Sequence, residues 1–360
     1  MAQRTTLRDI AERLNITPGT VSKAMNGADD ISEEMRSLIL DTAVEMGYVN
    51  RKAQKKNTRK LCLLIENMEY KTAEDFGYDI VLGFQQVATK EDYLVDLVEV
   101  SPDFQKSNPY DSFMLSHGYL GSLAIGFALE DPWMEEFKST TFPTALLDNT
   151  IPGTENVCNI STDSSEAIDL AIEHLISKGH TKIAFLDGST RSYISNSRMQ
   201  AYLSSMSRHH LPIDPALAIY GYFVADAAHY HVPNLLSAGA TAIICGNDLI
   251  ASGVIESVKD LGLSVPEDIS VIGFDDIPLA AKLDPPLTTI QQDRLALGRS
   301  GYFVVHAMLN NVSQSASLLR PRLIERKTTA SSRPRPITAD TIIDKDSVLY
   351  QNPSLFSGRY

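Results

Sequence analysis

Cysteine is scarce in this chain, and the few thiols that it has are far apart. Cys62, Cys158 and Cys245 are the only cysteines among 360 residues. Their separation matches neither a disulfide framework nor the short ligand spacing of a zinc site. We therefore expect a protein of the reducing cytoplasm, without structural disulfides and without a bound metal.

Long hydrophobic runs are also missing. No segment approaches the roughly 18 consecutive apolar residues that a membrane-spanning helix needs. The charged residues near the N-terminus are not followed by the apolar stretch of a secretion signal. The sequence predicts a protein that is neither secreted nor inserted in a membrane.

The familiar catalytic motifs are absent as well. The chain has no Gly-rich phosphate loop, no Gly-x-Ser-x-Gly motif and no His/carboxylate spacing typical of a metal site. Two histidine pairs, His209 with His210 and His229 with His231, have no orienting residues around them in the sequence, and we interpret them as surface residues. The pattern favours a non-enzymatic protein that needs no cofactor.

Charge is divided unevenly along the chain. The formal net charge is −13, yet residues 1–60 hold 11 Lys/Arg against 8 Asp/Glu, while residues 61–360 hold 21 against 37. Binding to a polyanion such as DNA gains from basic residues that release counterions. Any contact with nucleic acid is therefore expected near the N-terminus.

The N-terminal region has the hydrophobic pattern of a small helical domain. Apolar residues at three- and four-residue spacing predict helices at 7–15, 18–25 and 32–46. The expected core of this domain contains Ile10, Leu14, Val21, Leu38, Ile39 and Ala43.

From Leu61 onward, short apolar runs alternate with amphipathic helical stretches. The runs are 61–65, 93–98, 121–127, 143–148, 182–187, 217–222, 241–245 and 269–274. Strands that are apolar on both faces and separated by helices predict an α/β body with doubly wound parallel sheets. Eight strands exceed the usual single sheet, so two similar subdomains around a cleft are expected.

This pattern divides the chain into four segments. We predict an all-α headpiece at 1–50, a basic hinge or linker at 51–60, an α/β body at 61–330 and a tail at 331–360, expected to be flexible because it loses periodicity. The predicted subdomains of the body are 61–160 plus 290–318, and 161–289 plus 319–330.

The first two predicted helices form a helix-turn-helix. Ala11 is small enough to let the second helix cross closely over the first, and Asn15 stands at the turn, where Asn tolerates positive φ. Thr17 is placed to cap the second helix, with Pro18 at its first position. Short or basic groups on the exposed face can enter a DNA major groove. They are Pro18, Gly19, Thr20, Ser22, Lys23 and Asn26.

A helix pair with a merely solvated polar face is the simpler interpretation, but the turn, the cap and the basic linker together favour DNA binding. The segment Thr6–Gly27 reads TLRDIAERLNITPGTVSKAMNG and resembles the LacI/GalR family of repressors. The resemblance extends from about Thr5 to Ala330. Further matching segments are Ile31–Glu34, Met46–Val49, Glu173–Ala184, Asn247-Asp248, Val265–Asp276 and Pro286–Ile290.

This resemblance implies a DNA-binding repressor with a periplasmic-binding-protein-like core. In the family, the core closes on a small-molecule effector and thereby changes the affinity for the operator. The resemblance also implies a homodimer whose paired headpieces bind palindromic double-stranded DNA.

The same resemblance assigns DNA-contact positions. Pro18, Gly19 and Lys23 fall at base-reading positions. Because Pro18 and Gly19 offer no side-chain hydrogen bond, base discrimination is expected to depend on Lys23 and on DNA shape. The positions that hold phosphates in the family are occupied here by Thr6, Thr17, Thr20, Ser22, Asn26 and Ser32.

The linker departs from the family pattern. The family usually has Tyr-x-Pro-Asn followed by Ala-Arg-x-Leu, whose Leu enters the minor groove, whereas here Asn50 stands at the Pro position and Asn57 at the Leu position. No residue is therefore expected to make the apolar insertion that kinks DNA. Lys52 and Lys55 either contact phosphates or only keep the linker soluble, and both interpretations stay open.

Polar residues follow several predicted strands, where ligands bind in α/β bodies. Arg198, Asn247 and Asp275 match effector-contact positions of the family and suit hydroxyls or a carboxylate. Phe223 matches a position where an aromatic ring stacks on the ligand, although Tyr222 can exchange roles with it. Further candidates are Asp148 and Phe76. The expected effector is a carbohydrate-like or nucleoside-like polar metabolite.

Two other functions are compatible with parts of this pattern. A solute-binding protein for transport has the same fold but would need a secretion signal and no headpiece. A regulator that binds DNA constitutively, or with a protein as corepressor, stays open beside an effector-controlled one. The sequence also leaves open whether the effector induces or corepresses.

Overall fold

The computed structural model describes residues 5–25, 28, 30–48 and 59–332. The predictions for Asn26, Lys52, Lys55 and most of the linker and tail lie outside these residues. The chain divides into two compact units. Unit 1 contains the described residues of Met1–Lys71, with Gly77–Ser161 and Arg294–Leu318. Unit 2 contains Thr72–Phe76, Thr162–Asp293 and the described residues of Leu319–Tyr360.

Short helices begin the described chain, and strands and helices alternate after them. The helices are α1 (Leu7–Leu14), α2 (Pro18–Met25), α3 (Glu33–Glu45), α4 (Phe76–Lys90), α5 (Pro102–Ser107), α6 (Tyr110–His117), α7 (Pro132–Glu136), α8 (Ser164–Ser177), α9 (Tyr193–Arg208), α10 (Ala227–Ser237), α11 (Asp248–Asp260), α12 (Pro278–Lys282) and α13 (Arg294–Leu309). The strands are β1 (Arg59–Ile65), β2 (Tyr93–Glu99), β3 (Tyr119–Ile125), β4 (Thr144–Leu147), β5 (Val157–Thr162), β6 (Ile183–Asp187), β7 (Ala218–Tyr220), β8 (Ala242–Cys245), β9 (Ser270–Asp275), β10 (Thr288–Gln291), β11 (Ala316–Leu319) and β12 (Arg322–Ile324).

The headpiece helices begin and end at residues that satisfy their free backbone groups. Thr6 caps α1 in a capping box with Asp9, whose side chain accepts from the Thr6 backbone N at 2.6 Å. Asn15 ends α1 in the left-handed conformation, with φ 53°. The hydroxyl of Thr17 accepts from the Thr20 backbone N at 3.1 Å, which confirms the predicted cap of α2.

The headpiece core differs from the prediction at one position. Ile10, Val21, Ile39 and Ala43 are fully buried as expected, and Leu14 packs against them. Leu38, however, is 49% exposed, and the prediction for this residue is wrong. Successive helical residues point about 100° apart, so Leu38 lies to one side of the buried stripe of α3. Among the additional buried residues of this core are Ala11, Ala24, Met25 and Leu40.

The sheet of unit 1 has the strand order β11-β5-β4-β3-β1-β2. The strand pairs from β2 to β5 in this order are all parallel. β1 begins at Arg59, so the predicted linker, which ran to Lys60, is two residues too long. Arg59 pairs with Tyr93 in the sheet and lies over its ring at 4.1 Å, and this contact draws the basic residue into the strand. The only tryptophan, Trp133, is buried in the core of this unit.

The sheet of unit 2 has the order β12-β10-β9-β8-β6-β7, in which only the β10–β12 pair is antiparallel among the described pairs. Apolar clusters contain residues of the strands and of the helices that cover them. The sequence missed β5, β10, β11 and β12 because they are short or contain polar residues. The predicted α/β class with parallel sheets and a helical headpiece is confirmed.

Several other expectations concern the whole chain. All three cysteines are buried and free. Within the described ranges, no helix is long and apolar enough to cross a membrane. Ser332 donates its backbone N–H to the carbonyl of Lys178 at 2.8 Å, so the body extends two residues beyond its predicted end at Ala330.

Candidate DNA-binding surface and effector site

The two faces of α2 differ in burial. Val21, Ala24 and Met25 face the headpiece core and are buried. On the other side, the predicted base-reading residues Pro18, Gly19 and Lys23 are exposed, with Thr20 and Ser22 half-buried beside them. A β-carbon at Gly19 would meet only the Thr17 hydroxyl, at 3.5 Å. This surface can therefore approach another molecule closely.

Lys23 already has an acidic partner in the free protein. Its ammonium group donates to the carboxylate of Asp30, and both side chains are more than half exposed. The hydrogen bond from Lys23 lowers the pKa of Asp30. Lys23 must leave Asp30 before it can reach a base or a phosphate, a competition that the sequence analysis did not foresee.

The hydroxyls predicted to hold phosphates also serve the headpiece fold. Thr6 donates to the carboxylate of Asp9 at 2.8 Å, and Ser32 caps α3 by accepting from the Met35 backbone N at 3.3 Å. Thr17 and Thr20 share a hydrogen bond of 2.9 Å. A hydroxyl can accept from a backbone N–H and still donate to a phosphate oxygen, so capping and DNA contact are compatible at Ser32.

In unit 2, the predicted effector residue Arg198 projects from α9 and is buried. Its guanidinium Nη1 donates to the carbonyl of Gly246 at 2.7 Å, and its Cζ lies 3.8 Å from the centre of the Phe274 ring. A buried guanidinium needs several acceptors, and the aromatic face compensates only part of that need.

Asn247 and Asp275 follow neighbouring strands of the same sheet. Asn247 caps α11, where its side-chain oxygen accepts from the Ile250 backbone N at 2.8 Å. Asp275 ends β9 with φ 106° and accepts from the Gln292 amide at 2.7 Å. Both side chains are nearly buried and lie at the carboxyl ends of strands.

The two aromatic candidates differ in burial. Phe223 is half-buried, and its ring occupies the place that a β-carbon at Gly188 would take. Tyr222 is exposed, so Phe223 is the better candidate to cover the end of β6. Gly188 is required by this close approach of a ring to the backbone.

One acidic residue of this region was missed. Asp187, the last residue of β6, is fully buried, and its Oδ1 accepts from the Gly188 backbone N at 2.7 Å. Burial raises the pKa of Asp187 to about 7, although the nearby Arg198 opposes this shift. The rule that selected polar residues at strand ends applies to Asp187 as well as to Asp275, and would have found it.

The remaining predicted effector residues lie elsewhere. Asp148 follows β4 in unit 1 with φ 53° and accepts from the Ser161 hydroxyl at 2.5 Å. Phe76 is the half-buried first residue of α4.

The interpretation of His209 as a residue without orienting neighbours is wrong. Its Nε2 lies 3.1 Å from a carboxylate oxygen of Asp169 on α8, which also accepts from Ser205 and Arg208. Asp169, Glu173 and His209 form a group, within the described part of the chain, that could hold a metal ion. Arg208 already neutralises Asp169, which makes the group an ion-paired link between α8 and α9.

Known proteins resemble the chain in both regions. Residues 6–50 match the family described as bacterial regulatory proteins, lacI family, and residues 172–329 match a periplasmic binding protein-like domain. The probable HTH-type transcriptional repressor ExuR of Bacillus subtilis (strain 168) is 30% identical over 296 residues, which cover 80% of this chain and 86% of that protein. The HTH-type transcriptional repressor CytR of Escherichia coli (strain K12) is 27% identical over 333 residues, 90% of this chain and 96% of that protein.

A solved structure agrees with these relatives. The lac repressor dimer bound to operator and the anti-inducer ONPF matches with a TM-score of 0.65 at 25% identity, covering 91% of this chain and all of that chain. The helix-turn-helix, the two parallel sheets and the relatives all lead to one assignment. The chain belongs to the LacI family of bacterial regulatory proteins and is a DNA-binding regulator of transcription.

Proposed function

We propose that this protein is a homodimeric repressor that binds palindromic operator DNA through α2 and responds to a small polar effector bound in unit 2. The DNA part rests chiefly on one observation. α2 is capped at its start and buried on one face, while Pro18, Gly19 and Lys23 lie exposed on the other. Lys23 is assigned to base reading, and the neighbouring hydroxyls are assigned to phosphates.

Two features of unit 1 support a dimer. β2 is the edge strand of the sheet, and it exposes Leu94 and Leu97. An apolar edge strand is a surface for pairing with another chain. On α13, Phe303 is exposed beside Tyr302, whose ring contacts Tyr93 of β2.

The DNA assignment is tested by selecting binding sites from random duplex DNA with the full chain. We expect an enriched palindrome, and we expect Lys23→Ala to weaken binding to it about tenfold or more and to relax base preference, as for loss of one good base contact. Arg13→Ala is the matched control, because Arg13 also forms an exposed ion pair, with Glu45. Absence of a palindrome, or equal binding by Lys23→Ala, contradicts the assignment.

The effector assignment is tested by thermal stability of the full chain with a panel of sugars and nucleosides. A compound at about 100 times its Kd stabilises the folded state by about 2.7 kcal/mol. The same compound should change operator affinity in either direction. If no compound shifts the melting temperature or operator affinity, the effector assignment fails while the DNA assignment stands.

A further inference from the structure

Buried polar atoms without partners are concentrated where β6 leads toward α9. Within the residues that the structure describes, Asp187 Oδ2, Ser195 Oγ and Arg198 Nε have no hydrogen-bond partner. All three side chains are almost fully buried. Buried polar atoms in folded proteins are nearly always paired, and an unpaired one weakens the fold. Such a concentration therefore indicates groups kept for binding.

Asp187 and Arg198 lie on either side of the same glycine. Arg198 donates to the carbonyl of Gly246. A β-carbon on Gly246 would lie 2.5 Å from Asp187 Oδ1, so the carboxylate packs directly against this residue. The two side chains form neither a hydrogen bond nor an ion pair in the described chain, although their charges interact. Asp187 Oδ2 and Arg198 Nε therefore remain available to a third group.

Two other acids of unit 2, the buried Asp248 and the partly buried Asp276, are fully engaged by the protein. Asp248 accepts from the Thr289 hydroxyl at 2.6 Å through one oxygen and from the Ile277 backbone N at 2.9 Å through the other. Asp276 accepts from Arg326 and Gln291 in the same way. A buried carboxylate in this unit thus normally has a structural partner for each oxygen, and Asp187 does not.

The charges around this point restrict what can bind there. Arg198 would oppose a cationic ligand, and Asp187 in its ionised form would oppose an anionic one. A neutral ligand that donates one hydrogen bond and accepts another at neighbouring atoms satisfies both side chains. Two adjacent hydroxyls have this property. The Phe223 ring over Gly188 adds an apolar face beside them.

We propose that Asp187 is a specificity-determining residue of the effector site, which together with Arg198 binds two neighbouring hydroxyls of a neutral effector. Asp187 Oδ2 accepts from one hydroxyl, and Arg198 Nε donates to the oxygen of the other. This inference rests on the proposed effector site in unit 2. The diol can belong to a free sugar or to the ribose of a nucleoside.

Binding of such a diol is coupled to a proton. The diol stabilises the ionised carboxylate of Asp187, whose pKa is about 7. The neighbouring titratable or charged groups are Arg198 on α9, Tyr220 on β7 and His231 on α10, which packs against Gly221. Burial lowers the pKa of His231, so it is neutral in this range. Affinity should therefore rise with pH up to about 8 and then level off.

The test measures binding to the full chain by calorimetry, using monosaccharides, disaccharides and ribonucleosides with their deoxy analogues. We expect a diol to bind at least tenfold more tightly than the analogue lacking one of the two hydroxyls. Asp187→Asn should weaken binding of the diol at least tenfold, and it should leave unchanged the binding of the deoxy analogue that lacks the hydroxyl bound by Asp187. Comparison of the sugars with the nucleosides shows whether the diol belongs to a free sugar or to the ribose of a nucleoside.

A purely structural role gives different results. Asp187→Asn should melt at the same temperature as the parent or higher, because it removes an unpaired buried charge, whereas the control Asp248→Asn should melt lower. If Asp187→Asn binds the diol within twofold of the parent, the inference is wrong although the effector site stands. If the parent binds nothing in the panel, the proposed effector function itself fails.

A second measurement needs no variant. Calorimetry of the parent at pH 7 in buffers of different ionisation enthalpy counts the protons exchanged on binding. We expect net proton release that disappears near pH 9. Proton uptake, or no exchange at pH 7, contradicts a diol bound to the carboxylate of Asp187.

Discussion

Lys23 pairs with Asp30 in the free headpiece, and the proposed contact of Lys23 with DNA would compete with this pair. The ion pair with Asp30 is exposed on both sides, and water and salt weaken such pairs. The free energy lost when Lys23 leaves Asp30 for a guanine edge or a phosphate is therefore small. Asp30 also places a negative charge next to the surface that is proposed to approach the phosphates.

Removal of this competitor should strengthen DNA binding. We expect Asp30→Asn to raise the affinity for the selected duplex several-fold, with the larger gain at low salt, because Lys23 is released and a charge that repels phosphates is lost. Fluorescence anisotropy at two salt concentrations measures both effects. Glu45→Gln, which releases Arg13 instead, should leave the affinity within twofold; an equal gain in that control would contradict the argument.

Asp187 should make stability depend on pH. Its pKa of about 7 in the folded protein lies above the value of about 3.9 for an unperturbed Asp. The folded state therefore holds the proton more tightly, and its stability falls as pH rises from about 4 to about 7. A difference of about 3 pKa units corresponds to at most about 4 kcal/mol.

Denaturant unfolding of Asp187→Asn and the parent checks this expectation. The variant should gain stability over the parent as pH rises from about 4 to about 7, and the difference should stay constant above that. A difference that does not change with pH would show that Asp187 is ionised in the folded protein throughout this range.

At the scale of elements, the turn between α1 and α2 depends on the backbone of Asn15. Its φ of 53° is disfavoured for residues with a β-carbon, least so for Asn. We expect Asn15→Ala to lower the free energy of unfolding of the headpiece by about 1 kcal/mol. Asn15→Gly should change this free energy by only about a few tenths of a kcal/mol. Amide hydrogen exchange of α1 and α2 measures this, with the exposed Glu12→Ala as control. Equal protection in Asn15→Ala and the parent would contradict it.

The headpiece helices were predictable because their signals are local. Thr6, Asn15 and Thr17 act within three residues of their own positions, so the sequence alone identifies them. β10 was missed for the opposite reason. Thr288 and Thr289 are polar, yet fully buried, because Thr328 and Asp248 bond to them from distant parts of the chain.

The candidate site was only partly predictable for a similar reason. Strand ends give the positions of Asn247 and Asp275 in the sequence, whereas Arg198 lies within α9 and was assigned from the family resemblance. Whether an oxygen there is paired depends on residues far along the chain, as Gln292 is for Asp275. The unpaired Oδ2 and the raised pKa of Asp187 therefore arise only when the strands and helices are packed.

At the scale of the whole molecule, the dimer proposed through the edge strand β2 would link assembly to DNA binding. A headpiece of three short helices has few contacts with DNA, and a dimer holds two of them on one palindrome. We expect Leu97→Lys to shift the protein toward monomers in sedimentation and to weaken operator binding at least tenfold. Leu129→Lys is the control, since Leu129 is similarly exposed, at 40% against 38% for Leu97. Unchanged sedimentation of Leu97→Lys would exclude this edge as the interface.

The position of Trp133 determines which part of the molecule is visible to fluorescence. It is the only tryptophan, it is buried among Tyr110, Phe113 and Phe127, and its indole N–H donates to the Asn108 carbonyl at 2.8 Å. All of these residues belong to unit 1, whereas the Asp187 and Arg198 cluster belongs to unit 2. Tryptophan emission thus monitors the melting of one half of the body, and circular dichroism monitors both. A ligand that raises the melting temperature seen by circular dichroism but leaves the one seen by fluorescence unchanged stabilises the half that has no tryptophan.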